Sequence, residues 1–520
     1  MSSTTGLGRV LARATLWSAA NTAFLRLAQL GVSIVVARLV SPQQFGVFVV
    51  ALVTYQIVIN ISEVGVSAAL VREIDNADRI APTVATIAII TSSALAAIMF
   101  ASAPVLAAAL GAPDATNAVR VLALPLLLAG PTAVPAALLT RDFNQRTKMI
   151  IDLSSFVVAN GALIVLALQG QGAMALAWSR VAGQSLSAIL LFIVVSHRYR
   201  PGFDRSEARR LLRFGMPLAG ANLAGFTLAN VDFMVIGRLA GAVQLGYYNL
   251  AYTVSSWPPN VLTVILQSLT LPVLARIRGG ISEIGRHVSV TLSAVSAASF
   301  PVSACCVVLA QPLITIVYGH RWAPAAAMLV VLAVLGSARV IISLFSDILV
   351  AMDRTRQLFR LQLLWLAFLV PVMLLAVHFG QGVGAGVAHV LVAITAVFPA
   401  YLLVLVRSIG LPLKALVNPA GYPLVAAVGA GLVSYVVASQ GTTPLMKVGL
   451  GFGSFLVTYL VVLSRWLMIL KRDLIRLYGG ESRGQSEDSA DMTDVENFGP
   501  AELVAVPAPT AHKRGKEEAL

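Results

Sequence analysis

Apolar runs of about 20 residues, each enough to cross roughly 30 Å of hydrocarbon, recur from Leu16 to Trp466 with only short polar breaks between them. Their positions predict spanning helices at 14–37, 46–70, 81–103, 118–140, 150–169, 173–195 and 214–237. The second set falls at 246–271, 287–310, 323–350, 360–379, 383–406, 419–438 and 445–466. The expected architecture is therefore an all-α polytopic membrane protein with about 14 transmembrane helices. Composition makes lipid the required solvent. Hydrophobic residues fill 58% of the 520 positions and charged residues 12%, a balance that no single water-soluble core could bury.

A net charge of +14 would suit a nucleic-acid binder if the basic residues were clustered. They occupy alternate loops instead. Arg9, Arg13, Arg72, Arg79, Arg141, Arg146, Lys148, Arg198, Arg200, Arg205, Arg209, Arg210 and Arg213 lie on one side in the first part of the chain. Arg276, Arg278, Arg286, Arg354, Arg356, Arg360, Arg407, Lys414, Arg465, Lys471, Arg472 and Arg476 continue the series, while Arg38, Arg120, Arg238, Arg321 and Lys447 fall on or near the other side. The positive-inside rule then puts both termini in the cytoplasm, an even number of spans between them, and the protein in the inner (plasma) membrane with no nucleic-acid partner. Arg26 interrupts the first apolar run and no small-residue cleavage site follows, so that run reads as an uncleaved first helix. Cys305 and Cys306 are adjacent in an apolar run and read as packing residues, since helical neighbours do not easily pair.

The chain also resembles itself. Arg38-Leu39, Gln44 and Gly46 recur 200 residues on as Arg238-Leu239, Gln244 and Gly246. Gly170-Gln171-Gly172 and Arg146 recur 210 residues on as Gly380-Gln381-Gly382 and Arg356. Two pseudo-symmetric six-helix lobes, 1–200 and 201–410, are implied around a central cavity, followed by two helices in 411–470. Six is even, so both copies keep one orientation. Residues 471–520 turn polar and acidic, with Glu487, Asp488, Asp491, Asp494 and Glu496 close together, and read as a disordered cytoplasmic tail. Gly215, Pro217, Gly220, Gly225 and Pro258-Pro259 interrupt two spans, as packing or as hinge positions.

A charge at the bilayer centre costs at least about 2.5–3.5 kcal/mol on insertion scales, so each one asks for a cavity or a partner. Arg26 is the leading candidate for substrate contact, because a guanidinium stays charged when desolvated and its fork of donors matches phosphate oxygens. The competing reading is an ion pair with Glu63 on the next helix. Arg180 and Arg339 extend the cationic path, unless Arg180 snorkels outward or Arg339 pairs with Asp347 on the same helix. Asp232 and Glu63 are candidates for a coupling proton or sodium ion, since burial makes a carboxyl charge switchable. Asn21, Asn222, Asn230 and Gln267 are candidates for hydrogen bonds to sugars or between helices. Arg38 and Arg238 occupy matched places at the outer interface and read as structural in each repeat.

There is no HExxH, CxxC, P-loop or dinucleotide fingerprint, and the six histidines are scattered rather than spaced as metal ligands. The expectation is a transporter rather than an enzyme, with no cofactor. The stretch Ala37-Arg38-Leu39-Val40-Ser41-Pro42-Gln43-Gln44-Phe45-Gly46-Val47-Phe48 resembles the first outer loop of Wzx-type polysaccharide flippases. These belong to the multidrug/oligosaccharidyl-lipid/polysaccharide superfamily, which also holds lipid II flippases and MATE drug exporters. The likeness runs over roughly residues 10–475. It implies two six-helix lobes around a cationic cavity, a phosphate-handling arginine in the first helix at Arg26, and translocation of an undecaprenyl-diphosphate-linked glycan to the outer leaflet for exopolysaccharide, capsule or O-antigen synthesis. Partners implied are membrane lipids and the polymerase and glycosyltransferases of the same pathway. Competing readings are a MATE-like multidrug or metabolite exporter, a membrane glycosyltransferase or ligase on lipid-linked sugars, and a scaffold acting through the acidic tail.

Overall fold

A computed structural model of the protein describes residues 28–29, 31–62, 77–141, 144–195, 201–276, 281–464, 466 and 468. The side chains of 77–78, 145, 214, 217–218, 221–222, 224, 228 and 257–282 are outside that description. The expectations placed on Asn21, Arg26, Glu63 and the 471–520 tail therefore lie outside the described residues.

Every regular element described is helical: α1 over 31–39, then α2 (Pro42–Ser62), α3 (Ala77–Ala109), α4 (Thr116–Arg141), α5 (Gln145–Leu168) and α6 (Ala173–Val194). They continue as α7 (Arg205–Arg276), α8 (Ile281–Val317), α9 (Ala325–Ala351), α10 (Thr355–Ile409), α11 (Leu413–Ser439) and α12 (Pro444–Ser464). Ten of the described helices are long and apolar enough to cross a membrane. Their outward faces are as apolar as their packed ones, with Val105, Ile193, Val425 and Val461 each at least two-thirds exposed. Such a surface is stable only against lipid, and a helix satisfies all its backbone hydrogen bonds internally, as hydrocarbon demands. This is a multi-pass membrane protein.

Two of the long helices are broken where the polar pattern predicts a gap between spans. In α7 the break is Gly241 (φ +81°, ψ 174°), a conformation that costs glycine little because it has no β-carbon. In α10 it is Gln381 (φ +49°), a non-glycine residue held in the left-handed region. The legs are α7a (205–240), α7b (242–276), α10a (355–380) and α10b (382–409). One buried cluster joins most of the bundle, with Phe48, Leu122, Ile236, Tyr248, Trp322, Phe345 and Tyr401 among its members.

At one end of the bundle α2 and α7b cross in near backbone contact. A β-carbon on Gly46 would stand 1.7 Å from the Ala242 carbonyl oxygen, and one on Gly246 would stand 2.1 Å from that of Pro42. The two contacts exchange under the 200-residue shift, 46 with 246 and 42 with 242. Gly172 lies against Gln44 and Gly382 against Gln244, so the echoed glycine turns also meet the echoed glutamines. Gly46→Ala is expected to destabilise the fold by about 1–3 kcal/mol or more, because backbone cannot give way as a side-chain tip would. Gly429→Ala, which meets open space, is the control expected to be neutral. The thermal unfolding midpoint of the purified variants checks both.

The opposite end has a smaller core of Ile80, Ala81 and Val84 from α3, Val134 and Ala137 from α4, and Ala208 and Leu211 from α7a. Arg79 reaches Glu207 at 3.4 Å, and the Thr86 hydroxyl donates to the Gly202 carbonyl at 2.7 Å. Asp204 caps α7, accepting from the Ser206 hydroxyl and from the N–H groups of Ser206 and Glu207. Those donors, the hydroxyl foremost, hold its carboxyl below the usual aspartate range. The cap is thus intact above the unfolded-state pKa and is lost as pH falls through the lowered one.

Candidate functional site

The legs of α7 and α10 enclose, with α9, a cavity of about 500 Å³. Its wall is unusually polar for an apolar bundle. α7b contributes Tyr252, Ser255 and Ser256; α9 contributes Arg339, Ser343 and Ser346; α10 contributes Gln362, Trp365, His389 and Tyr401. Gly225 and Ala229 of α7a and Gly336 of α9 leave room by having little or no side chain. The periodicity of α9 explains its share: residues 336, 339, 340, 343 and 346 follow i, i+3, i+4, i+7 spacing and so fall on one helical face.

Arg339 supplies the fixed positive charge. Its guanidinium carbon stands 5.2 Å from the centre of the Tyr252 ring, where the negative ring face holds it without neutralising it. Behind Tyr252 an ordered relay leads into the core. Tyr252 stacks on Tyr248 with ring centres 6.4 Å apart, and Phe233 closes on both rings edge-on. The Tyr248 hydroxyl donates to Asp232 Oδ2 at 2.7 Å, while Oδ1 accepts the Phe233 N–H at 3.0 Å. His389 Nε2 lies 3.5 Å from the same Oδ2. Asp232 and His389 are 1% and 4% exposed, so the carboxylate is sealed within protein while the imidazole edge and Arg339 reach the cavity. Burying a carboxylate is tolerable only with such partners.

The expected site residues divide. Arg339 and Asp232 come together in this cluster. Arg180 does not join it; on α6 its side chain is exposed and interacts electrostatically with Tyr55 of α2. Asn230 donates one amide N–H to the Phe226 carbonyl of its own helix at 2.9 Å, leaving its second N–H and its oxygen for anything else. Asn222 and Gln267 lie on α7, but their side chains are outside the described set. The alternative reading, an Arg339–Asp347 pair, is not what the structure has. Eight residues amount to about 12 Å along a helix and about 80° around it, and Asp347 Oδ2 is buried without a hydrogen-bond partner while Arg339 turns to Tyr252.

Several residues of the cavity escape a reading by sequence. His389 is one of six scattered histidines in the sequence, and its spacing gives no hint that it meets Asp232. Its signal was its place, an ionisable group in the middle of an apolar run. Trp365 brings an indole Nε1 that is buried with no partner, and the Tyr401 and Ser346 hydroxyls share a 3.0 Å hydrogen bond. Such an array can receive an anion on Arg339 and the hydroxyl groups of a sugar on Ser, Gln and Trp donors.

Residues 35–327, more than half of the chain, match the family described as polysaccharide biosynthesis protein. The chain belongs to that family. The teichuronic acid biosynthesis protein TuaB of Bacillus subtilis (strain 168) is 28% identical over 294 residues, 56% of this chain and 61% of TuaB. The match thus spans less than two thirds of that relative's length. The lipopolysaccharide biosynthesis protein WzxC of Escherichia coli (strain K12) is 22% identical over 396 residues, 76% of this chain and 80% of WzxC. In fold, the chain is similar to the lipid II flippase MurJ in its inward closed conformation, with TM-score 0.69 and 15% identity over 87% of this chain and all of that one. The polysaccharide-flippase resemblance of the Ala37 to Phe48 stretch holds at the level of family.

Proposed function

We propose that this member of the polysaccharide biosynthesis family is a flippase that carries an undecaprenyl-diphosphate-linked glycan from the inner to the outer leaflet of the plasma membrane. The observation that carries the reading is a fixed cation, Arg339, opening onto a hydroxyl-lined cavity inside an otherwise apolar bundle. A diphosphate cannot be dragged through hydrocarbon without several kcal/mol of desolvation cost per charged group. A guanidinium that is already desolvated, held by the Tyr252 ring and the nearby Asp232 charge, offers it a replacement for water. The prenyl chain stays in lipid while the head group crosses within protein, by alternating access between two six-helix lobes, 1–200 and 201–410.

The basic residues of alternate loops put both termini in the cytoplasm. Arg26 remains the second proposed phosphate contact, and Arg180 a third, along the path from the first lobe. Asp232, paired with His389 behind the tyrosine relay, is the proposed coupling group: taking up a proton there changes the charge that Arg339 faces. Polymerase and glycosyltransferases of one envelope pathway would supply and consume the substrate.

A cation-exporting, drug-carrying function is the second reading. It requires a carboxylate facing the cavity, and Asp232 is instead shut behind Tyr248 and His389. The discriminating experiment is binding to the protein in lipid nanodiscs. Labelled undecaprenyl-diphosphate oligosaccharide is expected to bind and to be displaced by unlabelled glycolipid but not by cationic dyes. Saturable dye binding with no retention of the glycolipid would favour the exporter.

A further inference from the structure

We infer that Arg38 and Arg238 form a paired latch that holds the Gly46 end of the bundle shut and must release for that end to open. The inference rests on the alternating-access reading, but the contacts stand by themselves. Arg38 Nη2 donates to the Ile316 carbonyl at 2.7 Å and Nε to that of Val317 at 3.2 Å. These are the last carbonyl groups of α8, which have no partner within the helix and sit at the negative end of its dipole. Arg238 Nη1 donates at 3.2 Å to the Ala108 carbonyl near the end of α3, which also accepts the Gly111 N–H. The arginine of each sequence repeat thus closes a helix that belongs to the other repeat. A static cap would be served as well from within the same half; reaching across makes each bond a tie between the halves.

The ties flank the tightest crossing in the bundle, Gly46 on Ala242 and Gly246 on Pro42. There the backbones of α2 and α7b come closer than side chains would allow, so each tie stands beside a direct contact between the two halves. The two ties are unequal. Arg321 donates to the Arg38 carbonyl at 2.7 Å and Trp322 Nε1 to that of Ala37 at 2.7 Å, and the Trp322 ring takes Phe45 and Tyr247 edge-on. Around Arg238 no comparable added hydrogen bond is found among the described residues. The Arg238 tie is the one that gives first, while the Arg38 side stays joined and acts as the hinge. Both arginines are exposed, so water can take over their hydrogen bonds, as a reversible latch requires.

Thiol accessibility tests this without any substrate, so a failure here is distinguishable from a failure of the flippase reading. Cys305 and Cys306 are first replaced by serine. Val50→Cys then places a reporter at the α2–α7 contact, where Val50 is 1% exposed and packs toward Gly237, and Val84→Cys places a control in the opposite core. In nanodiscs, Arg238→Gln is expected to raise the N-ethylmaleimide labelling rate at position 50 by about tenfold or more, the loss of one charge-assisted bond. Arg238→Lys should raise it less, and position 84 should not change. Unchanged labelling at position 50 would overturn the proposal. So would a parallel rise at both positions, which would mark Arg238 as an ordinary stabilising cap.

Discussion

Arg339→Ala is expected to lower the rate of glycolipid translocation by about 10- to 100-fold in a folded protein. The magnitude follows from what is removed. A hydrogen bond to a charged group contributes about 1.5–3 kcal/mol, and each 1.4 kcal/mol is a factor of ten. Arg339 interacts electrostatically with Asp232, but that carboxylate keeps the Tyr248 hydroxyl and His389 as partners after the change, and Asp347 lies two turns away. The fold should therefore survive, and the unfolding midpoint should move little. Arg339→Lys should keep part of the rate, because the charge persists while the planar fork and its stacking on Tyr252 are lost. Leaflet accessibility of a labelled glycolipid in vesicles is the assay. Full activity of the alanine variant would remove Arg339 from the path.

Asp232→Ala carries the opposite signature, a loss of stability before any question of transport. It leaves the Tyr248 hydroxyl and His389 facing a void in the core, and breaking one side of a buried pair costs about 3–5 kcal/mol. In a double-mutant cycle with His389→Ala, the two losses should fall short of adding, because His389 Nε2 lies 3.5 Å from Asp232 Oδ2. Strict additivity in unfolding free energy would show that the pair does not act as a unit. Asp232→Asn preserves shape and an acceptor for Tyr248. It is expected to leave a folded protein whose transport no longer responds to an imposed proton gradient.

What could be read from the sequence was whatever repeats or stands out against apolar background. The spans were legible because lipid forces length and hydropathy on every helix, and the gaps at Gly241 and Gln381 fall where the polar breaks put them. Arg339 and Asp232 were legible as charges in apolar runs. Their partners were not. Tyr248, Tyr252 and His389 approach them from other helices, and nothing in the spacing of α9 indicates which face meets α7b. Asp347 looked like a partner for Arg339 because it is near in sequence, yet helical rotation turns it away. The echo of Arg38 in Arg238 was visible, but its targets are backbone carbonyl groups of α8 and α3, and a carbonyl leaves no mark in a sequence.

The central claim is that a lipid-linked glycan crosses the membrane through this protein. It is tested most directly by loading labelled undecaprenyl-diphosphate oligosaccharide into one leaflet of vesicles and following its appearance in the other. With the wild-type protein, transfer should run at least about tenfold faster than in protein-free vesicles and fall back toward that background with Arg339→Ala. Equal rates with and without a folded, correctly inserted protein would contradict the account.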